Sequence, residues 1–264
     1  MFGRVLGFDE SPASLLVFLV FGGLSIYFVL SGASYLLFFV VGRKRFHPTY
    51  HSDPQANRSA MKLGALGTLG NALLMLPFQL LIANGYSRIY WNVDEHGWAW
   101  LAFSFVLYLV FTETCIYWIH RGLHSEFGYR WLHKYHHEWR VPTSWVSMAF
   151  HPVDSFLQAL PHHIFGFIFP LHGLAYMTML GFVSLWSVII HDRVSLVRSG
   201  LINYTGNHTL HHWFARYNYG QFFTIWDRLM DTWRDPELAA RKDGIPDGVL
   251  VRREWAIEKS SALG

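Results

Sequence analysis

The sequence predicts an all-α integral membrane protein with about four transmembrane helices and a cytoplasmic, His-rich helical cap. Three observations predict this class. Hydrophobic residues make up 52% of the 264 residues and charged residues only 15%, whereas soluble domains carry about 25% charged residues. Long apolar stretches recur over the first 190 positions. Thirteen of the 16 histidines lie between positions 120 and 212, which indicates one polar, chemically specialised region.

Four apolar stretches are long enough to cross a bilayer, which takes about 20 residues. Residues 15–41 and 63–83 are the first two, and both lack charged side chains. Pro77 lies inside the second and predicts a kink there. Residues 98–119 are the third and contain one acid, Glu113. Residues 156–190 are long enough for a helical hairpin that breaks near 170–173, so we expect four or five membrane passes or re-entrant pieces.

The charges of the connections predict the orientation. Five basic residues lie between positions 43 and 62, whereas the connection over residues 84–97 carries Arg88 against Asp94 and Glu95. The positive-inside rule therefore places the first connection in the cytoplasm. Residues 120–154 and those after 191 then face the cytoplasm as well. The membrane would be the endoplasmic reticulum in a eukaryote and the inner membrane in a bacterium.

Three histidine clusters share one spacing. They are His120 and His124, then His133, His136 and His137, and finally His208, His211 and His212. Residues three and four apart share one face of a helix, so each cluster can aim two or three imidazoles at one point. Neutral imidazole is the commonest side-chain metal ligand. Eight imidazoles exceed what one ion takes, since a zinc site uses about four ligands, and the clusters therefore predict two metal ions.

Two further histidines are candidate metal ligands. His191 ends the last apolar stretch, and His151 is either a ligand or a residue that orients one. Metal-bound imidazoles commonly donate their second N–H to a carboxylate or carbonyl. The candidate carboxylates are Glu138, Asp154, Asp192 and Asp227. Three histidines of the last apolar stretch are expected to pack or to line a pocket: His162, His163 and His172.

An all-imidazole site at a membrane surface favours oxidative chemistry on a lipid. If the metal is iron, such a centre can reduce dioxygen and attack an unactivated C–H bond. The single Cys115 excludes an internal disulfide and Cys-based zinc or iron–sulfur sites, and no motif points to nucleic acid as a partner. A membrane zinc hydrolase would need a general base beside its metal ligands, and the sequence contains no HExxH motif that would supply one. A metal transporter would need polar residues within several spans.

The clusters read HRGLH, HKYHH and HTLHH, and YNYGQFFTIWDR follows the last. These motifs, in this order, resemble the three His boxes of the fatty-acid hydroxylase/sterol desaturase superfamily of membrane di-iron oxygenases. With AFHPVDSFLQALPHHIF and IHD, residues 108–235 are similar to its sterol C5-desaturase branch, whereas the N-terminal spans are similar only in hydropathy. The resemblance implies that the eight box histidines hold two iron ions and act in catalysis. His191 matches the family histidine before the last box.

The resemblance implies O2-dependent desaturation, in which a Δ7-sterol loses two hydrogens from ring B to give a 5,7-diene and water. Hydroxylation of another lipid or terpenoid at the same site is the alternative. Electrons would come from NAD(P)H through a separate donor, either cytochrome b5 with its reductase or a ferredoxin. Met148, Ser155, Asn207 and residues 229–231 depart from the usual family pattern, which points to a different substrate pocket. We expect residues 1–264 to form one domain with its catalytic region at 108–235.

Overall fold

The computed structural model describes residues 10–195, 199–242 and 245. Its helices in chain order are α1 (Pro12–Ser34), α2 (Arg43–Phe46), α3 (Pro54–Ala83), α4 (Gly97–Leu123), α5 (Glu126–Trp131), α6 (Pro152–Ile168), α7 (Gly173–His191), α8 (Thr205–Phe214), α9 (Ile225–Leu229) and α10 (Pro236–Lys242). A π-helical segment, Tyr35–Val41, extends α1, and 3₁₀ segments cover Val93–Glu95, His133–Glu138 and Ser144–Met148. Two short strands are β1 (Ile89–Tyr90) and β2 (Leu171–His172).

Four helices in the described residues are long and apolar enough to cross a membrane, which confirms the predicted number. They are α1 with its extension, α3, α4 and α7. The last apolar stretch forms the expected hairpin, in which α6 and α7 are separated by a break at residues 169–172. At 17 residues, α6 is shorter than the spanning helices. It is not among the four helices that are long and apolar enough to cross a membrane.

Capping residues mark where the long helices begin. The Ser11 hydroxyl accepts a hydrogen bond from the backbone N–H of Ser14, and the Asp53 carboxylate accepts from Gln55 and Ala56. A proline follows each cap in the first turn, where its missing N–H costs nothing. Each cap contributes about 1 kcal/mol to helix stability. Helix α3 continues through Pro77 as one element.

The connections gather at two opposite ends of the helices. At one end, β1 pairs in parallel with β2, a small addition to the predicted all-α fold. At the other end, the Ser34 and Ser144 hydroxyls are 2.7 Å apart, and the Thr143 hydroxyl donates to Asn57 at 3.3 Å. The basic first connection therefore lies at the same end as the histidine clusters.

Glycines let α3 approach its neighbours closely. A Cβ atom on Gly64 would lie 2.5 Å from the ring of Tyr27, and one on Gly67 would lie 2.6 Å from the carbonyl oxygen of Phe150. The Tyr27 hydroxyl also donates to the carbonyl of Trp145 at 2.8 Å. Small residues at such crossings are typical of helix packing in membranes. They hold α1, α3 and the segment before α6 in fixed relative positions.

His47 is buried at the end of α2 without belonging to any histidine cluster. It is 2% exposed, and its ring stacks on Phe39 with the centroids 4.2 Å apart. Burial, aided by the positive charge of Arg193, lowers the pKa of His47 to about 3. The ring is therefore neutral at pH 7 in the folded protein.

Candidate metal centre

Nine histidine side chains converge in two neighbouring groups at the end of the molecule where α4 and α7 finish. The first group contains His120, His124, His133, His137 and His211, and the second contains His136, His191, His208 and His212. Within each group the possible ligand atoms all lie within 4.8 Å of one another. In the part of the chain that the structure describes, neither group includes a carboxylate or a thiol.

Helix ends place most of these side chains. His120 lies in the last turn of α4, and His124 is the residue that ends this helix. His191 is the last residue of α7. All three are therefore held where an apolar, membrane-spanning helix reaches the polar cap. The third cluster lies on the short buried helix α8.

Each sequence cluster aims two imidazoles at one group, as the spacing predicts, and two of the clusters send their remaining histidine to the other group. HKYHH lies on the 3₁₀ segment His133–Glu138, whereas HTLHH lies on the α-helix α8. His136 joins the second group, and the other two histidines of this cluster join the first. In HTLHH, His211 joins the first group and the other two join the second. Each metal site is thus built from several separate elements.

Outward hydrogen bonds fix the orientation of the rings. Six of the nine imidazoles donate their Nδ1–H to a protein oxygen outside the two groups. The acceptors are the backbone carbonyls of Trp139, Ala149, Ser187, Tyr217 and Tyr219 and the carboxylate of Asp154. A ring that donates from Nδ1 keeps the lone pair of Nε2 free for a metal. Backbone carbonyls leave no signal in a sequence, so sequence reasoning did not find these partners.

Asp154 is the predicted carboxylate that contacts a ligand ring. Its Oδ2 accepts from His133 Nδ1 at 2.7 Å, and both side chains are fully buried. Its other oxygen accepts from Gln158 Nε2, also at 2.7 Å. Both carboxylate oxygens are therefore paired, and the negative charge lies directly behind the first group.

The other three predicted carboxylates have different roles. Asp227 accepts from the backbone N–H of Tyr219, whose carbonyl in turn accepts from His120, so Asp227 supports the centre indirectly. Asp192 accepts from a backbone N–H two residues further along the chain. Glu138 is exposed.

The spacing of the nitrogen atoms fits metal ligation. Two nitrogens bound to one ion at about 2.1 Å, at right to tetrahedral angles, lie about 3.0–3.4 Å apart. Facing Nε2 atoms are 3.2 Å apart for His120–His133 and for His124–His211, 3.3 Å for His136–His191 and 3.0 Å for His191–His208. Both ring nitrogens of His137 and the Nε2 of His212 are buried without a hydrogen-bond partner. Such atoms are costly unless a ligand satisfies them, and a metal ion in each group would satisfy one nitrogen of each of these rings.

The site keeps its imidazoles in the form that binds metals. Burial first, and then the neighbouring imidazoles, lower the pKa of five ligand rings well below the usual value: His136, His137, His208, His211 and His212. Burial likewise lowers the pKa of His124. Neutral imidazole is the ligand form, so these rings need not lose a proton at pH 7 to bind an ion.

His151 is the predicted ligand that the structure leaves outside both groups. Its Nδ1 accepts a hydrogen bond from the backbone N–H of Val153 at 3.2 Å, and it thereby caps the start of α6. Its ring stacks on Tyr135 with the centroids 5.9 Å apart. The side chain thus serves a local capping role beside the centre.

A cavity of about 390 Å³ lies between α1, α3, α6 and α7 and reaches the second group. Phe150 lines it, and the Phe150 ring stacks on His136 with the centroids 4.0 Å apart. Ser187 also lines it, and its carbonyl accepts from His191 at 2.6 Å. The volume of the cavity falls within the range of about 300–1,000 Å³ that is usual for ligand pockets. A lipid in this cavity would lie against the histidine centre.

Several residues singled out in the sequence line this cavity. Met148 and Ser155, which depart from the family pattern, are among them, whereas Asn207 is not. His162 and His163 line the cavity, as expected for pocket residues. His172 instead caps α7, where its Nδ1 accepts from a backbone N–H at 3.3 Å.

Comparisons with known proteins agree with this geometry. The sequence profile of the fatty acid hydroxylase family matches residues 105–232. The lathosterol oxidase of Homo sapiens is 39% identical over 228 residues, which cover 84% of this chain and 75% of that protein. The chain belongs to the fatty acid hydroxylase family. The superfamily that the His boxes predicted is thereby confirmed, and the chain is an oxidoreductase and an integral membrane protein.

Fungal members of the family are similar over comparable lengths. A Delta(7)-sterol 5(6)-desaturase of Aspergillus fumigatus is 40% identical over 239 residues, covering 89% of this chain and 67% of the relative. A second, from Gibberella zeae, is 37% identical over 260 residues, covering 96% of this chain and 79% of the relative. Another Gibberella zeae relative is covered over only 61% of its length. No solved structure matches the chain.

Proposed function

We propose that this protein is a membrane di-iron oxidoreductase that uses dioxygen to introduce the 5,6 double bond into a Δ7-sterol. One observation carries the proposal: nine imidazoles, eight of them buried and that of His124 half-buried, lie in groups of five and four against a membrane cavity of lipid size. The names of the relatives, Delta(7)-sterol 5(6)-desaturase and lathosterol oxidase, support the substrate and the reaction.

Two iron ions, one in each group, are the metals we propose. Imidazole ligands suit iron, zinc and copper, and the oxidative chemistry of the family favours iron. When bound, the two ions would supply the reduction of dioxygen and the oxidising power to remove hydrogen from an unactivated C–H bond. The chain itself holds the Nε2 atoms in place, orients them through outward hydrogen bonds and excludes water by burial.

The proposed reaction balances with two electrons. The sterol loses two hydrogen atoms, and dioxygen takes up these hydrogens together with two electrons and two protons, so that two water molecules form. The protein must bring the ring carbons to the centre and shield them from solvent. Phe150 and Ser187 line the cavity where it meets the second group, so ring B would lie between them.

Electrons come, in this proposal, from NAD(P)H through a separate protein, either cytochrome b5 with its reductase or a ferredoxin. The positive charge of the surface over the centre favours an electron donor with an acidic surface. Arg130, Lys134 and Arg140 are exposed on the segment that carries the second His box, and Arg216 is exposed just after the third. These cations outnumber the acids of the same segments, which favours fast association with an acidic partner.

We place the metal centre on the cytoplasmic face, because the basic first connection lies at the same end of the helices. The membrane would be the endoplasmic reticulum in a eukaryotic host and the inner membrane in a bacterial one. Residues 1–264 would then act as one domain, with residues 108–235 forming the catalytic region.

Hydroxylation of another lipid by the same centre is the second candidate. Met148 and Ser155 differ from the residues usual in the family, and both line the cavity. A changed pocket would hold a different lipid, or would hold the substrate so that a hydroxyl group is introduced in place of the loss of a second hydrogen. A zinc hydrolase and a metal transporter have no such support, because the ligand atoms are buried at one end of the helices and the family is oxidative.

Reconstitution with iron tests the proposal. The purified protein would be loaded with Fe²⁺ and supplied with a chemical reductant and a Δ7-sterol, with and without dioxygen. We expect two iron ions per chain and a 5,7-diene that forms only with dioxygen. An alcohol as the sole product would select the hydroxylase. Equal turnover with Zn²⁺ in the absence of dioxygen would overturn the oxidative assignment.

A further inference from the structure

The cavity ends in a buried polar cluster at the end remote from the metal centre. Gln79, His163 and Tyr176 come from α3, α6 and α7, and all three line the cavity. Gln79 Nε2 donates to the Tyr176 hydroxyl at 2.9 Å and to His163 Nδ1 at 3.0 Å. We call these three residues the distal polar cluster. It lies among apolar membrane helices, where polar groups are rare and usually functional.

Hydrogen-bonding capacity remains unused around this cluster. His163 Nδ1 lies against both the Gln79 amide, from which it accepts, and the Tyr176 hydroxyl; the ring then carries its proton on Nε2, which has no hydrogen-bond partner among the described residues. The neighbouring His162 is 2% exposed and bonds Tyr108 through Nδ1 at 2.8 Å. Its Nε2 is buried without a partner although the residue lines the cavity. No water is available from surrounding lipid, so a polar group of a ligand is the natural partner for these nitrogens.

The distance to the centre decides which part of a sterol reaches the cluster. Tyr176 and Ser187 lie eleven positions apart on α7, a separation of about 16 Å at a rise of 1.5 Å per residue. Ser187 contacts the ligand His191, so the distal cluster is about this far from the centre. With ring B at the metals, the nearby ring A and its hydroxyl stay at the metal end. The far end of the cavity then receives the side chain of the sterol.

We infer that the preferred substrate is a sterol with a hydroxyl group near the end of its side chain, and that the distal polar cluster and His162 bind this hydroxyl. The inference rests on the proposed function, because it assumes that ring B lies at the centre. A hydroxyl can accept from one imidazole and donate to another or to Gln79 Oε1. A hydrocarbon side chain would leave these polar atoms unsatisfied.

Two Δ7-sterols that differ only in a terminal side-chain hydroxyl test the inference. Equilibrium binding of each radiolabelled sterol to metal-free protein in detergent gives Kd, and turnover by the iron-loaded enzyme gives kcat and KM. We expect a Kd about tenfold lower for the hydroxylated sterol, the effect of one added hydrogen bond. KM should fall with Kd, and kcat should stay similar, because the contact lies far from the reacting carbons.

Variants locate the effect. Gln79→Leu and His163→Phe should remove the preference for the hydroxylated sterol. Their Kd for the unhydroxylated sterol should stay within about twofold of the wild type, a change smaller than the effect of one hydrogen bond. Ser104→Ala, which deletes a buried hydroxyl of α4 outside the cavity lining, should keep the preference. Gln79→Asn should restore part of it.

Each outcome is decisive. Equal Kd values for the two sterols on the wild-type protein would overturn the inference, and this comparison does not depend on the folding of any variant. Desaturation of both sterols with equal KM would also overturn it but would leave the proposed function intact. If neither sterol is desaturated, the proposed function fails, and the inference fails with it.

Discussion

Replacing Asp154 with asparagine perturbs the metal centre without touching a ligand. The carboxylate accepts two hydrogen bonds, from His133 Nδ1 and from Gln158 Nε2, each at 2.7 Å. An asparagine has one carboxamide oxygen, so one donor loses its acceptor. If Gln158 keeps the oxygen, the new NH2 group faces His133 and drives the imidazole proton to Nε2, the atom that would bind the metal.

The expected loss follows from these contacts. A hydrogen bond to a charged group is worth about 1.5–3 kcal/mol. At about 1.4 kcal/mol per factor of ten, this corresponds to an affinity for metal that falls about 10–100-fold. Competition with a chelator of known affinity, followed by metal analysis, measures the change in Kd for Fe²⁺. Helix content by circular dichroism controls for folding.

Glu138→Gln is the matched control. It removes one carboxylate charge from the same His box, but Glu138 is exposed and accepts no hydrogen bond from a ligand ring. We expect wild-type affinity for this variant. The reasoning is refuted if Asp154→Asn binds Fe²⁺ as tightly as the wild type, or if both variants weaken binding equally, which would mean that only net charge matters.

Three further outcomes are expected. His137→Ala should lower the iron content to about one ion per chain or fewer, because both ring nitrogens of His137 lack any other partner. His151→Ala should retain two ions. Metal analysis measures both, and equal losses of iron would contradict the assignment of His137, and not His151, as a ligand. Gly67→Val should destabilise the protein by about 1–3 kcal/mol in detergent denaturation, because its Cβ would lie 2.6 Å from a backbone carbonyl. Gly122→Ala, whose added methyl group meets open space, should leave the stability unchanged. Equal destabilisation by the two variants would exclude the steric clash as the cause. The pKa of His47 falls from its ordinary 6.5 to about 3 in the folded state, so the unfolded chain binds the proton first as the pH drops. Between pH 7 and pH 5 the free energy of unfolding of the wild type should therefore fall by about 2 kcal/mol more than that of His47→Phe. Identical pH profiles for the two proteins would refute this.

Hydropathy and spacing predicted the helices and the ligand set because both depend on local properties. Apolar length marks a spanning helix wherever it occurs, and the four predicted spans are present, including the break in the last stretch. The histidines at i, i+3 and i+4 signal metal chemistry before any fold is known. Nine of the ten candidate ligands meet in the two groups.

The division of the ligands could not be predicted from spacing. HKYHH on a 3₁₀ segment and HTLHH on an α-helix each send one histidine to the other group, so the division depends on how the elements pack around each group. His151 shows a related limit. An imidazole that caps a helix before a proline and one that binds a metal look the same in a sequence, and only the fold separates them.

Contacts between distant segments also had no sequence signal. The outward acceptors of the imidazoles are mostly backbone carbonyls, which every residue carries. The distal polar cluster joins Gln79 to His163 and Tyr176 from two other helices, and only the packing of α3 against α6 and α7 brings them together. Such sites depend on the tertiary arrangement and not on the local pattern.

The sterol profile of a cell tests the central claim most directly. The gene would be expressed in a yeast strain that lacks its own sterol C5-desaturase, with the His136→Ala variant alongside, and the sterols would be analysed by mass spectrometry. We expect a 5,7-diene with the intact protein and none with the variant, because the variant loses a buried ligand of the second group. Unchanged Δ7-sterols, although the intact protein is made and inserted in the membrane, would contradict the assignment as a sterol C5-desaturase.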